Sequence, residues 1–199
     1  MKHQALLDAF PQASANLESY ANWLATEGVI RGLIGPREVD RIWDRHLANC
    51  AALAELIPVE ATVIDIGSGA GLPGLVLAIV RPDCQITLVE PLLRRSEFLQ
   101  EVATDLALPN VEVIRARAEQ VKNRKANVVT ARAVAPLDRL LGWAMPLVAP
   151  GGELLAMKGS NAEQEIADAH GKLSKYQVEI CKVGQAIVDP PTTIVRITR

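Results

Sequence analysis

The stretch that decides the fold is Val63-Ile64-Asp65-Ile66-Gly67-Ser68-Gly69-Ala70-Gly71-Leu72-Pro73-Gly74. A short apolar run leads into a glycine-rich turn, and the turn is followed by an apolar helical segment, Leu75 to Val80. Glycine tolerates positive φ and lets the backbone approach a ligand closely. Open α/β sheets bind ligands beyond the carboxyl ends of their strands. We therefore expect a buried strand that ends at a ligand-binding turn.

The pattern after residue 61 alternates β-rich runs with helical segments. Strands are expected over residues 62–66, 85–90, 111–114, 127–131, 152–157, 176–183 and 193–198. Helices are expected between most of them, over residues 75–80, 92–106, 137–148 and 161–173. This order predicts an α/β fold with a doubly wound, mainly parallel seven-stranded sheet whose last strand is reversed. We expect one domain, 1–199, with an N-terminal helical extension (1–57) and an α/β core (61–199).

The composition excludes several classes of protein. A chain of 199 residues with 49% hydrophobic and 22% charged residues is typical of one globular domain. The three cysteines form no close pair, which indicates neither a disulfide framework nor a metal site. No signal peptide or membrane-length apolar run is visible, so we expect a cytoplasmic protein without a membrane partner. Because the net charge is −2, any nucleic acid would have to meet a local basic patch.

The glycine turn is compatible with two cofactors. Residues 69–74 match G-x-G-x-x-G, which is typical of dinucleotide-binding folds and predicts a NAD-dependent oxidoreductase. Asp65 extends the pattern to D-x-G-x-G-x-G, which resembles the first motif of methyltransferases that use S-adenosylmethionine. An acid there can face the cationic amino group of a ligand but would repel a pyrophosphate. Glu90 ends the second strand, 19 residues after Gly71, where a carboxylate can accept hydrogen bonds from a ribose.

Further motifs follow one another in a specific order along the chain. They are Trp43-Asp44-Arg45-His46-Leu47, Asp65 to Gly74, Leu88 to Leu99, Arg117-Ala118-Glu119, Ala131 to Leu137 and Lys158-Gly159. Together they resemble the RsmG (GidB) family, bacterial guanine-N7 methyltransferases of 16S ribosomal RNA. The resemblance runs from about residue 20 to the end of the chain. It implies the class I, Rossmann-like methyltransferase fold.

The resemblance also implies a cofactor site for S-adenosyl-L-methionine. The implied residues are Gly67, Ser68, Gly69, Gly71, Leu72, Glu90, Ala118, Glu119 and Arg132. Ala118 and Glu119 would lie by the adenine after the third strand, and Arg132 would close the pocket after the fourth. Arg132 and Lys158 are the candidates for shaping the catalytic site and for holding an RNA phosphate or a base oxygen.

A segment before the sheet is a candidate RNA contact. A helix there would place three arginines on one face, namely Arg37, Arg41 and Arg45. These arginines could meet phosphates, or two of them could pair with Asp40 and Asp44. The resemblance adds His46 as a candidate for contacting RNA or closing over the substrate.

The expected methyl transfer to guanine N7 needs no general base from the protein. Guanine N7 has a lone pair and no proton, so alignment of the two bound partners would carry catalysis. The partner is 16S ribosomal RNA or the small ribosomal subunit, no metal is implied, and we expect a monomer. Three alternatives remain open: the NAD-dependent oxidoreductase, a small-molecule methyltransferase and a non-catalytic RNA-binding module.

Overall fold

The N-terminal part of the chain is helical. A computed structural model describes residues 3–199, so Met1 and Lys2, where the predicted extension starts, lie outside the described residues. The α-helices are α1 (Gln4–Ala9), α2 (Ser14–Trp23) and α3 (Asn49–Ala52). Around them lie 3₁₀ turns at Pro11–Ala13, Pro36–Arg41 and Leu53–Leu56, and π-helical turns at Leu24–Gly28 and Ile42–Ala48.

The rest of the chain forms a seven-stranded sheet with helices. The strands are β1 (Thr62–Ile66), β2 (Gln85–Val89), β3 (Val111–Ile114), β4 (Ala126–Arg132), β5 (Val148–Lys158), β6 (Gln177–Val183) and β7 (Thr192–Thr198). The helices are α4 (Gly74–Val80), α5 (Leu93–Asp105), α6 (Leu137–Ala144), α7 (Ala162–Asp168) and α8 (His170–Leu173). The strand order is β3-β2-β1-β4-β5-β7-β6, and β7 runs antiparallel to both of its neighbours. The predicted mainly parallel sheet with a reversed last strand is confirmed.

The two largest differences from the sequence prediction lie in the 137–148 segment, where β5 also starts at Val148 instead of residue 152, and in the 161–173 segment. The helix expected over 137–148 ends at Ala144, and a 3₁₀ turn, Met145–Leu147, leads directly into β5 at Val148. Pro146 lies in this turn and has no amide hydrogen to continue an α-helix. The helix expected over 161–173 is broken at Ala169 into α7 and α8. Both corrections lie outside the glycine turn.

Apolar packing covers both faces of the sheet. One buried cluster joins the N-terminal helices, α4 and α5 to the sheet, and the second joins α6, α7 and α8 to the opposite face. Leu75 and Leu77 of α4 are fully buried in the first cluster, and each such side chain contributes about 1.5–3 kcal/mol through burial. Among residues 3–199, no helix combines the length and the hydropathy needed to cross a bilayer.

Candidate active site

The glycine turn after β1 has the conformation that its sequence predicts. Gly67, Gly69 and Gly71 have φ angles of +67°, +58° and +96°, where most side chains are strained. A Cβ atom at Gly67 would lie 2.8 Å from a methyl carbon of Val134, and one at Gly71 would lie 2.4 Å from a methyl carbon of Leu75. The turn is thus a backbone cradle with no room for larger residues at these two positions.

Asp65 lies beneath this cradle and is completely buried. Its Oδ2 accepts a hydrogen bond of 3.1 Å from the amide of Gly74, while its Oδ1 has no partner among the described residues. Burial raises the pKa of this carboxyl group to about 7, because the ionised form loses its hydration. An unpartnered, buried carboxylate oxygen fits a ligand that brings a cationic amino group or a bound water to the turn.

The rest of the turn is fixed by neighbouring side chains. The Ser68 hydroxyl donates a 3.0 Å hydrogen bond to the carbonyl oxygen of Asp65, and Ser68 is buried. Glu90 is buried too, and its two oxygens accept 2.9 Å hydrogen bonds from the amides of Gly69 and Leu92. A carboxylate has about four lone-pair sites. Glu90 therefore holds the turn against the end of β2 and keeps acceptor capacity for a ribose.

The other predicted cofactor residues occupy the same edge of the sheet. Because β1, β2 and β3 are parallel, their carboxyl ends lie together. Ala118 and Glu119 belong to a short 3₁₀ turn, Ala118–Gln120, that follows β3. Ala118 is half-buried and Glu119 is exposed, whereas Leu72 is half-buried just after the glycine turn.

A cleft of about 930 Å³ opens beyond the ends of β4 and β5. One wall comes from the π-helical turn and α3, the floor from Arg132 and Lys158, and the opposite wall from residues 185–193. The Thr192 hydroxyl donates a 2.8 Å hydrogen bond to the side-chain oxygen of Asn49, which ties the two walls together. The cleft adjoins the glycine turn through the 132–136 loop, because Val134 packs on Gly67.

The two candidate catalytic cations are held differently. The Lys158 amino group lies 2.7 Å from a Glu165 carboxylate oxygen and donates a 2.8 Å hydrogen bond to the carbonyl oxygen of Ala135. The Arg132 guanidinium donates to the Nδ1 atom of His46 at 2.8 Å and to the sulfur of Cys50 at 3.2 Å. The charge of Lys158 is thus offset by a hydrogen-bonded acid, whereas the described hydrogen-bond partners of Arg132 are uncharged and the buried Asp65 acts on it only at longer range.

The predicted α-helical face of arginines is wrong. Arg37 and Arg41 lie in a 3₁₀ turn and Arg45 in a π-helical turn, and neither repeats every 3.6 residues as an α-helix does. Arg41 and Arg45 line the cleft, but Arg37, although exposed, does not. Arg45 pairs with Glu38 at 3.4 Å.

His46 differs most from its predicted placement. Only 8% of it is exposed, so it lies below the surface that RNA could contact. Its ring instead bridges Arg132 and Glu38. Burial and the neighbouring Arg132 lower the pKa of His46 to about 4, although Glu38 opposes this shift. The imidazole is therefore neutral at neutral pH.

Several residues at the site were missed from the sequence. The Tyr20 hydroxyl of α2 donates a buried 2.6 Å hydrogen bond to the carbonyl oxygen of Ala70 in the glycine turn. Tyr20 belongs to none of the motifs quoted above, and no local pattern marks Glu38 or the 185–193 wall. Within residues 3–199, no three His, Cys, Asp or Glu side chains come together in a way that could hold a metal ion.

Comparisons with known proteins identify one family over nearly the whole chain. The family model described as rRNA small subunit methyltransferase G (GidB) matches residues 13–188. A Thermobifida fusca protein named Ribosomal RNA small subunit methyltransferase G is 54% identical over 198 residues, which cover 98% of this chain and 84% of that protein. A Nocardioides protein of the same name is 58% identical over 184 residues, which cover 90% of this chain and 74% of that one.

Solved structures share the fold at low sequence identity. A SAM-dependent O-methyltransferase of Thermotoga maritima has a TM-score of 0.58 and 15% identity, covering 76% of this chain and 64% of that one. Precorrin-6y C5,15-methyltransferase of Geobacter metallireducens has a TM-score of 0.55 and 14% identity, covering 84% of this chain and 90% of that one. These likenesses show the class I methyltransferase fold alone. On the family model and the identities over nearly the whole chain, the protein belongs to the rRNA small subunit methyltransferase G (GidB) family.

Proposed function

We propose that this chain transfers a methyl group from S-adenosyl-L-methionine to N7 of a guanine in 16S ribosomal RNA of the small subunit. The observation that carries the proposal is the unpartnered, buried oxygen of Asp65 under the glycine turn, beside a cleft that contains Arg132. The amide of Gly74, which a dinucleotide pyrophosphate would use at the helix start, is already bound by Asp65. Together with the family, this contact argues against the NAD-dependent oxidoreductase.

The cofactor would be held by the carboxyl edge of the first three strands. Asp65 would face its amino group directly or through water, and the glycine turn would contact it through the backbone. Glu90 would accept hydrogen bonds from the ribose, while Leu72, Ala118 and Glu119 would border the rest of the pocket. When bound, S-adenosylmethionine supplies a methyl group on a positively charged sulfur that a nucleophile can displace.

The cleft supports the RNA half of the proposal. Arg132 would contact a phosphate or a base oxygen, because no carboxylate of the described residues hydrogen-bonds its guanidinium, although the buried Asp65 attracts it at longer range. Lys158, paired with Glu165, would instead hold the 132–136 loop in place through the carbonyl oxygen of Ala135. Arg41 and Arg45 are exposed at the cleft, where phosphates would approach, although Arg45 also lies 3.4 Å from Glu38.

The nucleophile itself needs no general base. Guanine N7 carries a free lone pair, so the protein has only to bind, orient and desolvate it. Positioning of two bound partners can lower a barrier by roughly 7–11 kcal/mol in ideal cases. The hydrogen bond from Tyr20 to the carbonyl oxygen of Ala70 ties α2 to the glycine turn and would help to keep the turn in position.

The test is methyl transfer to small ribosomal subunits taken from cells that lack this protein. With S-adenosylmethionine that carries a labelled methyl group, wild-type protein should transfer the label to 16S RNA. The double variant Arg41→Gln/Arg45→Gln should have weaker subunit binding with a salt dependence reduced by about two phosphate contacts. Arg139→Gln, an exposed arginine of α6 outside the cleft lining, is the matched control and should behave as wild type. Labelling of small metabolites but not of RNA would contradict the proposal and favour a small-molecule methyltransferase.

A further inference from the structure

The guanidinium of Arg132 is held by three uncharged acceptors. Its Nη2 atom donates to Nδ1 of His46 at 2.8 Å and reaches the carbonyl oxygen of Arg45 at 3.4 Å, while Nη1 contacts the Cys50 sulfur at 3.2 Å. All three belong to the helical segment before the sheet. Arg132 itself lies at the end of β4, more than eighty residues away in sequence.

The position of His46 fixes the direction of its two hydrogen bonds. An arginine can only donate and an ionised carboxylate can only accept. Nδ1 faces Arg132, so it must be the unprotonated nitrogen. Nε2 lies 3.1 Å from a carboxylate oxygen of Glu38, so it must carry the proton and donate. The ring is therefore the neutral Nε2–H tautomer, in agreement with its lowered pKa.

A neutral hydrogen-bond acceptor can orient a cationic side chain without offsetting its charge, whereas a carboxylate does both. Lys158 faces the same cleft, but Glu165 lies 2.7 Å from its amino group and offsets its charge. His46 orients Arg132 equally closely but brings no negative charge, so the guanidinium keeps more of its attraction for an anion in the cleft than it would beside a carboxylate. The imidazole ring of His46 lies between Glu38 and Arg132, so the Glu38 carboxylate hydrogen-bonds the ring and not the guanidinium.

We propose that His46 is a positioning residue, whose neutral ring is oriented by Glu38 and directs the Arg132 guanidinium into the cleft without a carboxylate hydrogen-bonded to it. This inference rests on the proposed function, in which Arg132 holds an anionic or polar group of the RNA. It assigns His46 no contact with RNA. It also makes the segment before the sheet a necessary part of the active site.

Two variants of His46 separate its two hydrogen bonds. Asparagine places its side-chain oxygen where Nδ1 lies and keeps the acceptor for Arg132, whereas glutamine reaches the position of Nε2 and keeps only the contact with Glu38. His46→Asn should retain kcat/KM for small subunits within about threefold. His46→Gln should lose about 10- to 100-fold, as expected for a misplaced active-site group. Because it keeps Arg132 in place, His46→Asn should also bind S-adenosylmethionine within about twofold of wild type.

The tautomer is measured independently of activity by ¹⁵N NMR of the imidazole in the wild-type full chain at neutral pH. We expect a protonated Nε2 and an unprotonated Nδ1 whose shift changes in the Arg132→Met variant. An Nδ1–H tautomer, an imidazolium, or equal activity loss in the two His46 variants would overturn the inference. A wild-type protein with the expected tautomer but without RNA methylation would contradict the proposed function and still support the arrangement around Arg132.

Discussion

Replacing Asp65 with Asn should stabilise the protein at high pH while it weakens cofactor binding. The pKa of Asp65 is raised from 3.8 to about 7 by complete burial, so the folded protein binds this proton more tightly than the unfolded chain does. Stability therefore falls as the pH rises from about 4 to about 7 and is constant above that window. A shift of this size corresponds to about 4 kcal/mol of destabilisation above pH 7 and to less than half of that near pH 5.

The asparagine variant has no such titration. Its new amide group replaces an unpartnered oxygen and costs roughly 1–3 kcal/mol at every pH. This constant cost cancels when the stability of the variant relative to wild type is compared between two pH values. We expect the free energy of unfolding of Asp65→Asn relative to wild type to increase by about 2–3 kcal/mol between pH 5 and pH 8. Loss of a charge-assisted hydrogen bond to the amino group should weaken S-adenosylmethionine binding by about 10- to 100-fold.

Urea denaturation at the two pH values and calorimetric titration of S-adenosylmethionine measure these quantities. Asp168→Asn is the matched control, since Asp168 is an exposed acid on α7 and should change neither quantity. A stability difference between variant and wild type that does not depend on pH would refute the reasoning about burial. Unchanged cofactor affinity would refute the assignment of Asp65 to the cofactor site.

Three further changes follow from the same site. Gly69→Asp should abolish S-adenosylmethionine binding measured by calorimetry, because it places a side chain at φ +58° and a second negative charge beside Glu90; a folded variant that binds normally would contradict our placement of the pocket. Tyr20→Phe should lower the free energy of unfolding by about 1–2 kcal/mol in urea melts, since the carbonyl of Ala70 loses a buried donor. It should also weaken cofactor binding. A loss of stability with unchanged cofactor binding would limit Tyr20 to a structural role. Glu165→Gln should lower both the thermal stability and the methyl transfer rate, because it leaves the largely buried Lys158 ammonium without its carboxylate and weakens its hold on Ala135; an unchanged rate would show that this loop needs no ionic anchor.

The sheet and the glycine turn were predictable because their signals are local. Alternating β-rich and helical runs predicted a mainly parallel sheet with a reversed last strand, and the glycines between Asp65 and Gly74 predicted the turn with its positive φ angles. The family resemblance, which the comparisons confirm, also came from short motifs in order. These features depend on residues that are near one another in the chain.

The surroundings of the cleft were not predictable in the same way. The four-residue spacing of the arginines suggested an α-helix, but Pro36 begins a 3₁₀ turn and a π-helical turn follows it. Hydrogen bonds such as Arg132 to Cys50 and Thr192 to Asn49 join residues 82 and 143 positions apart. No local periodicity encodes such contacts, because they depend on how the helical segment packs against the finished sheet.

The most direct test of the central claim identifies the methylated atom. Small subunits from cells lacking this protein are incubated with it and with S-adenosylmethionine carrying a trideuterated methyl group, and the 16S RNA nucleosides are analysed by mass spectrometry. We predict trideuterated 7-methylguanosine and no other deuterated nucleoside. Label in a different nucleoside, or none despite measured cofactor binding, would contradict the account.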